Sequence, residues 1–286
     1  MITSMRDVVL AQDEGRYHSQ RFIKNAGTIG DSQWQDWSFA SGQPAFDARI
    51  GAALAFNPFV AQRNDAIYFP PKLLGQERKL FEIDCVTTAG GSGQISVDFA
   101  IYDLLGVYPL IDGDSTDVQP MDNERVLPRF ATGEGVMAVL VNHVAPVVTA
   151  SDMIVNYTSS KGQVHSVTWR ATANGQNKVC YTTAGVGTSG PLYCGLASGD
   201  TGIISINDIQ FTTAPGGLWA IYLCKPLANF ANVSQGLSVT TERNFLLSNG
   251  FKAPTIEDGA WLGMFYMPNG GARTVAMHGN MHFVWG

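Results

Sequence analysis

From about residue 76 onward the chain alternates. Phe81, Ile83 and Cys85 interleave with Glu82 and Asp84, and Ile95, Val97, Phe99 and Ile101 interleave with Ser96, Asp98 and Ala100. A two-residue period with one apolar and one polar face is the pattern of a half-buried strand in an antiparallel sheet. Phe81, Ile83, Val97, Phe99 and Ile101 are therefore expected to face inward, the last three on one face of one strand. Further strands are predicted over residues 136–142, 153–158, 164–171, 178–182, 202–211, 218–224, 260–267 and 274–285. Turn clusters separate them, among them Gly90-Gly91-Ser92-Gly93, Asp112-Gly113-Asp114, Ser160-Lys161-Gly162, Ala173-Asn174-Gly175 and Pro215-Gly216-Gly217. Many short strands joined by Gly/Asn/Pro turns, with one helical turn or two near 240–247, predict an all-β fold: an antiparallel β-sandwich or jelly roll.

Residues 1–75 read differently. A short helix is expected to open near Asp7 to Leu10, and the alanine-rich stretch 48–56 suits another, stopped before Pro58. Between them, residues 13–44 mix polar residues and glycines with isolated aromatics and lack a sustained period. This is the pattern of an extended N-terminal arm with little regular structure, followed by a sandwich domain over 76–286. Large aromatics without periodicity either anchor in a partner or cap the chain's own core. Tyr17, Phe22, Trp34, Trp37, Phe39, Phe56 and Phe59 are the candidate partner-interface residues.

Composition changes the picture at one point. Charged residues make up only 15% of the chain, against about 25% in ordinary soluble domains. Either a Thr/Ser/Asn/Gln-rich surface replaces the charge, or partners in an assembly cover much of the surface. The net charge of −6 argues against a coat for nucleic acid. No signal-peptide run follows the first residues, and the apolar stretches fall far short of the roughly 20 residues that span a bilayer. The expectation is a protein kept in the cytosol where it is made, or leaving without a signal.

Candidate chemistry is sparse. Cys85, Cys180, Cys194 and Cys224 form no C-x-x-C pair, so reduced, buried thiols are expected, with Cys180–Cys194 the one disulfide worth considering. Gly185-Val186-Gly187-Thr188-Ser189-Gly190 matches G-x-G-x-x-G, but Pro191 follows at once and the next residues read as a strand or loop, not as the helix that would hold a pyrophosphate. His278 and His282 share a face, and His143 and His165 lie in predicted strands, but the segment carrying the pair has no acidic residue of its own. Asp112, Asp114 and Asp117 lack the spacing of a calcium loop. Glu134, Glu242 and Glu257 are carboxylates without a readable geometry, and the sequons at Asn156 and Asn232 matter only in a secreted chain. No catalytic role, cofactor, metal or small-molecule substrate is expected.

One series of segments carries a resemblance. Leu127-Pro128-Arg129-Phe130, Thr132-Gly133-Glu134-Gly135-Val136, Val155-Asn156-Tyr157-Thr158, Ser198-Gly199-Asp200-Thr201-Gly202-Ile203 and Leu223-Cys224-Lys225-Pro226-Leu227 together resemble structural proteins of tailed-bacteriophage virions of the capsid decoration, cement or head-associated type. They span about a third of the chain. The resemblance implies a virion setting on the capsid surface, assembly in the host cytoplasm, and a homotrimer contacting the major capsid protein and sister subunits. It implies no direct nucleic-acid contact and no membrane. A shell protein of the usual tailed-phage fold is disfavoured by the lack of a long spine helix. The alternative is a tail, fibre or baseplate sandwich that binds host-surface glycans, for which exposed Trp and Tyr on loop tips would speak.

Overall fold

The structure is a computed structural model. It describes residues 2–29, 33–44, 52–61, 67–72, 74–89, 95–144, 150–172, 179, 181–182, 191–234, 239–248, 252–269 and 273–286. In chain order the elements begin with α1 (Met5–Asp13), β1 (Tyr17–Ile29), β2 (Gln35–Asp36), β3 (Ser41–Gln43), β4 (Asn57–Pro58), β5 (Arg78–Ala89) and β6 (Ile95–Asp112). The middle of the chain supplies β7 (Gln119–Pro120), β8 (Met137–Val144), β9 (Ala150–Ser159), β10 (Val164–Thr172), β11 (Tyr181–Thr182) and β12 (Ile203–Phe211). It closes with β13 (Leu218–Ser234), β14 (Val239–Asn244), α2 (Phe245–Ser248), β15 (Leu262–Asn269) and β16 (Arg273–Trp285).

These strands build three sheets, ordered β14-β5-β16-β1-β3, β11-β10-β9-β12-β7 and β2-β15-β6-β13-β8. Every pairing between named strands is antiparallel. The third sheet is the spine of the molecule. Its long strands β6 and β13 pair from Ile95–Ser234 to Asp112–Leu218, with three register shifts on the way. Val97, Phe99 and Ile101 pack in one apolar cluster with Leu80, Ile83, Met277 and Phe283 of the first sheet. Leu105, Tyr108 and Ile111 pack in a second cluster with Met153, Val155 and Ile209 of the second sheet. Allowing for the bulges, these β6 residues lie on one face, so the first and second sheets stack side by side against the spine and form two sandwich lobes. The opposite face of the spine, with Ala100, Tyr102, Leu104, Val139 and Tyr222, is covered by loops bearing Trp34, Phe59 and Tyr193. Phe81, Ile83, Val97, Phe99 and Ile101 are all buried, as the alternation predicts.

Several expectations are corrected. Strand β6 runs on to Asp112, past the alternation seen in sequence from Ile95 to Ile101; from Leu104 to Val107 both faces are buried and the alternation dissolves. Strand β13 extends ten residues past Cys224, to Ser234. The 240–247 segment continues β14 before a single helical turn, whose entry Asn244 caps by accepting a bond from the Leu247 N–H. The larger correction concerns the first 75 residues. Residues 17–29 are not structureless: β1 lies inside the first sheet, between β3 and β16. Its period was hidden because the inward face carries Phe22 and Lys24, while Ile23 points out. Lys24 is buried, and its ammonium donates to the carbonyls of Ala40 and Pro44 beside the Trp37 ring. Those bonds offset the cost of burying a cation that breaks the polar pattern. Helix α1 spans Met5–Asp13, capped by Ser4, with Val8 and Ala11 packed inward. The 48–56 stretch falls partly outside the described residues, and its described part forms a turn and an isolated bridge at Ala55.

Candidate interaction surfaces

The seven candidate interface aromatics do not form one surface. Phe22 and Trp37 are buried in the first cluster, 5.4 Å apart ring to ring. Phe56 is buried in the second cluster against Tyr108. Rings in the chain's own core cannot anchor a neighbour, so these three are corrected to core residues. Tyr17 is half-buried beside Phe81 and His282. Trp34 and Phe59 are partly buried over the outer face of the spine. The Phe39 side chain lies outside the described residues.

The segments that carry the sequence resemblance meet in one place. Glu134 bridges to Gly202, the Thr201 hydroxyl donates to Glu134 Oε2 at 2.7 Å, and the Lys225 ammonium donates to the Glu134 carbonyl at 2.6 Å. Tyr157 donates to the Asp200 carboxylate at 2.5 Å and accepts from the Ala197 N–H. Burial, then the Asp200 bond, push the Tyr157 hydroxyl up to about 12. The glycines are needed for close approach: a Cβ on Gly202 would sit 2.0 Å from the Gly133 carbonyl oxygen. His165 approaches Asp200 at 3.6 Å from the neighbouring strand.

Arg129, from the same series, reaches the seam between the two lobes. Asp103 lies on β6 between Ile101 of the first cluster and Leu105 of the second. Arg129 grips it with two bonds, Nε to Oδ2 at 2.9 Å and an Nη2 contact to Oδ1 at 2.6 Å. Two further guanidinium bonds go to the Phe59 and Leu104 carbonyls, and the Trp261 N–H donates to Asp103 Oδ1. Burial raises the Asp103 carboxyl above its ordinary value, and the Arg129 bonds only partly offset that. The pair ties β6, the 127–130 loop, the 57–59 segment and the 260–262 segment into one joint.

The histidine pair also resolves. On β16, His282 is flanked by Tyr17, whose hydroxyl meets Nδ1 at 2.6 Å, and by Asp84 of β5, 2.8 Å from Nε2. The acidic partner missing from the local segment arrives from the next strand. Desolvation raises the Asp84 carboxyl, but bonds from His282 and Asn280 outweigh it and hold it below its ordinary value. Tyr17 is pushed up by burial and by the nearby Glu82 and Asp84 charges. His143 contacts the Tyr222 hydroxyl at 3.2 Å. Among the described residues no cluster of three or more His, Cys, Asp or Glu is arranged to hold a metal ion.

No protein-family model matches the chain, and no curated protein matches it. Solved structures are similar at low identity. An unassembled KI polyomavirus VP1 pentamer is 11% identical over 95% of this chain and 94% of that one, with a TM-score of 0.31. A structure of infectious bursal disease virus, Gt strain, is 10% identical over 94% and 80%, with a TM-score of 0.20. A VP2 subviral particle of infectious bursal disease virus is 12% identical over 94% and 80%, also with a TM-score of 0.20. TM-scores of this size carry no argument, and the architecture rests on the chain's own sheets.

Of the other sequence motifs, residues 185–190 and Cys180 lie outside the described residues. Cys85 and Cys194 are buried free thiols, and Cys224, also buried, lies with its Sγ 3.7 Å from the Met137 carbonyl oxygen. Asp112 turns its carboxylate onto the Asp114 N–H, an Asx-type turn. Among the described residues no helix is long and apolar enough to cross a membrane. Two surfaces had no signal in the sequence. One is the exposed apolar side of α1, Met5, Val9 and Leu10, with Met5 reached by the Asn244 amide at the entry of α2. The other is a groove on the outer face of the spine, lined by Trp34, Asp98, Asn229 and Tyr193. Both depend on which strands and loops come together, which no local period encodes.

Proposed function

We propose that this chain is a structural component of a bacteriophage particle, a capsid decoration or cement protein that clamps neighbouring subunits as a homotrimer. The observation that carries the reading is the convergence of the resemblance-bearing segments. Residues 127–136, 155–158, 198–203 and 223–227, scattered along the chain, interlock at one end of the second lobe through Glu134, Thr201, Lys225, Tyr157 and Asp200. What resembles phage structural proteins is therefore a three-dimensional unit. The low charge density supports the same reading. So does the exposed apolar surface of α1, where Met5, Val9 and Leu10 face away from the core. With Phe22, Trp37 and Phe56 taken up by the chain's own core, the contacts to sister subunits and to the capsid fall to α1, Leu247 and the partly buried Tyr17 and Phe59.

The test is a binding experiment with undecorated capsids. Full-length protein should elute as a trimer and co-sediment with such particles at saturable stoichiometry. The Val9→Glu variant should stay folded but lose co-sedimentation. A monomer that never sediments with capsids would refute the reading.

A further inference from the structure

The outer face of the spine carries a groove of about 370 Å³. Its floor is formed by paired positions of β6 and β13: Asp98 opposite Ala231 and Ala100 opposite Asn229. Trp34 and Tyr193 line it from the covering loops. A separate groove of about 340 Å³ lies between the same stretch of β13 and Thr241, Glu242 and Arg243 of β14. The small alanines leave the floor flat. Asn269 donates to Asp98 Oδ2 at 2.8 Å, which fixes the carboxylate and leaves Oδ1 without a hydrogen bond among the described residues.

We propose that this groove binds a short neutral saccharide. A pyranose presents an apolar C–H face and an edge of hydroxyl donors. Trp34 and Tyr193 offer aromatic surface of negative quadrupole to the first. Asp98 and Asn229 offer an acceptor and a planar amide to the second, the few convergent polar groups that orient a ligand in a mostly apolar site. Charge selects among sugars. The first groove is lined by a carboxylate and no cation, so an acidic sugar would meet repulsion and an unpaired buried charge. At about 370 Å³ the groove has room for a short saccharide. The site does not depend on the virion reading: it is tested on the isolated chain, whereas that reading is tested on particles.

The experiment is saturation-transfer NMR on the full-length chain with a panel of neutral gluco-, galacto-, manno- and N-acetylhexosamine oligosaccharides, with sialyl-lactose as the acidic comparison. The expected result is transfer to ring C–H protons of at least one neutral oligosaccharide, with a dissociation constant of about 0.1–1 mM for so open a site. Trp34→Ala and Asn229→Ala should each weaken binding about tenfold or more. If Trp34→Ala lowers the melting temperature, Asn229→Ala decides, because Asn229 is exposed and its loss leaves the core intact. No transfer from any neutral sugar at about 10 mM, preference for sialyl-lactose, or unchanged binding in the Asn229 variant would overturn the proposal.

Discussion

Replacing Arg129 with Met tests the joint between the two lobes. The substitution keeps an apolar stem of similar length but removes four donated bonds: two to Asp103, one to the Phe59 carbonyl and one to the Leu104 carbonyl. Among the described residues, the buried Asp103 carboxylate then keeps only the Trp261 N–H as partner. Breaking a buried pair on one side costs about 3–5 kcal/mol, because the surviving charge is uncompensated. Unfolding entropy of about 2.1 cal/mol/K per residue makes that a melting shift of about 5–8 °C for a chain of this length. The sign of the pH dependence follows from Asp103. Its folded pKa is already raised by burial, and losing Arg129 raises it further. A carboxyl with a raised folded pKa favours folding below its unfolded value, near 3.9, and loses that contribution as pH climbs through the folded value. The deficit of Arg129→Met should therefore be largest at neutral pH and shrink on acidification, as Asp103 takes up a proton. The double variant Asp103→Leu/Arg129→Met should recover most of the loss, since an apolar pair at such a site is often neutral or better. The assay is urea unfolding of the four proteins of the cycle at pH 7 and pH 5. A cost under about 1 kcal/mol at pH 7, or a double variant as unstable as the single one, would refute the argument.

Other consequences follow from the same geometry. Gly202→Ala places a Cβ 2.0 Å from the Gly133 carbonyl oxygen, so it should cost about 1–3 kcal/mol in denaturant titration. Burial pushes the Cys85 thiol up to about 12 and Cys194 well above its ordinary value; alkylation at pH 8 followed by peptide mapping should leave both unlabelled in the native protein and label both in denaturant. Because Asp84 is held below its ordinary value, it contributes stability above about pH 4 that is lost as pH falls through the folded value; His282→Gln should therefore move the acid-unfolding midpoint upward. Deleting residues 1–61 removes both β1 and β3 from the side of β16 and should abolish cooperative unfolding by circular dichroism, whereas a detachable arm would leave it intact.

How far the fold can be read from sequence depends on where alternation survives. Glu82 and Asp84 between Phe81, Ile83 and Cys85 mark β5 plainly, because one face of that strand meets polar surroundings. Strand β1 is illegible for the opposite reason: Lys24 is inside and Ile23 outside, an inversion that makes sense only once the Ala40 and Pro44 carbonyls are in place. The far half of β6 is illegible because loops bury its second face. The isolated aromatics looked alike in sequence, yet Phe22 and Trp37 fill a core while Trp34 rims a groove. That distinction is set by tertiary pairing. The Asp103–Arg129 joint and the Asp84–His282 contact likewise join residues on separate segments, and no spacing rule brings them together.

The central claim, that this chain decorates a capsid, is tested most directly by cryo-electron microscopy of purified particles that contain it. The account predicts density for a three-sheet protomer in threefold clusters repeated over the outer shell, with α1 at contacts between protomers or with the shell. Density confined to the tail or baseplate, or a few copies per particle with a bare shell, would contradict it.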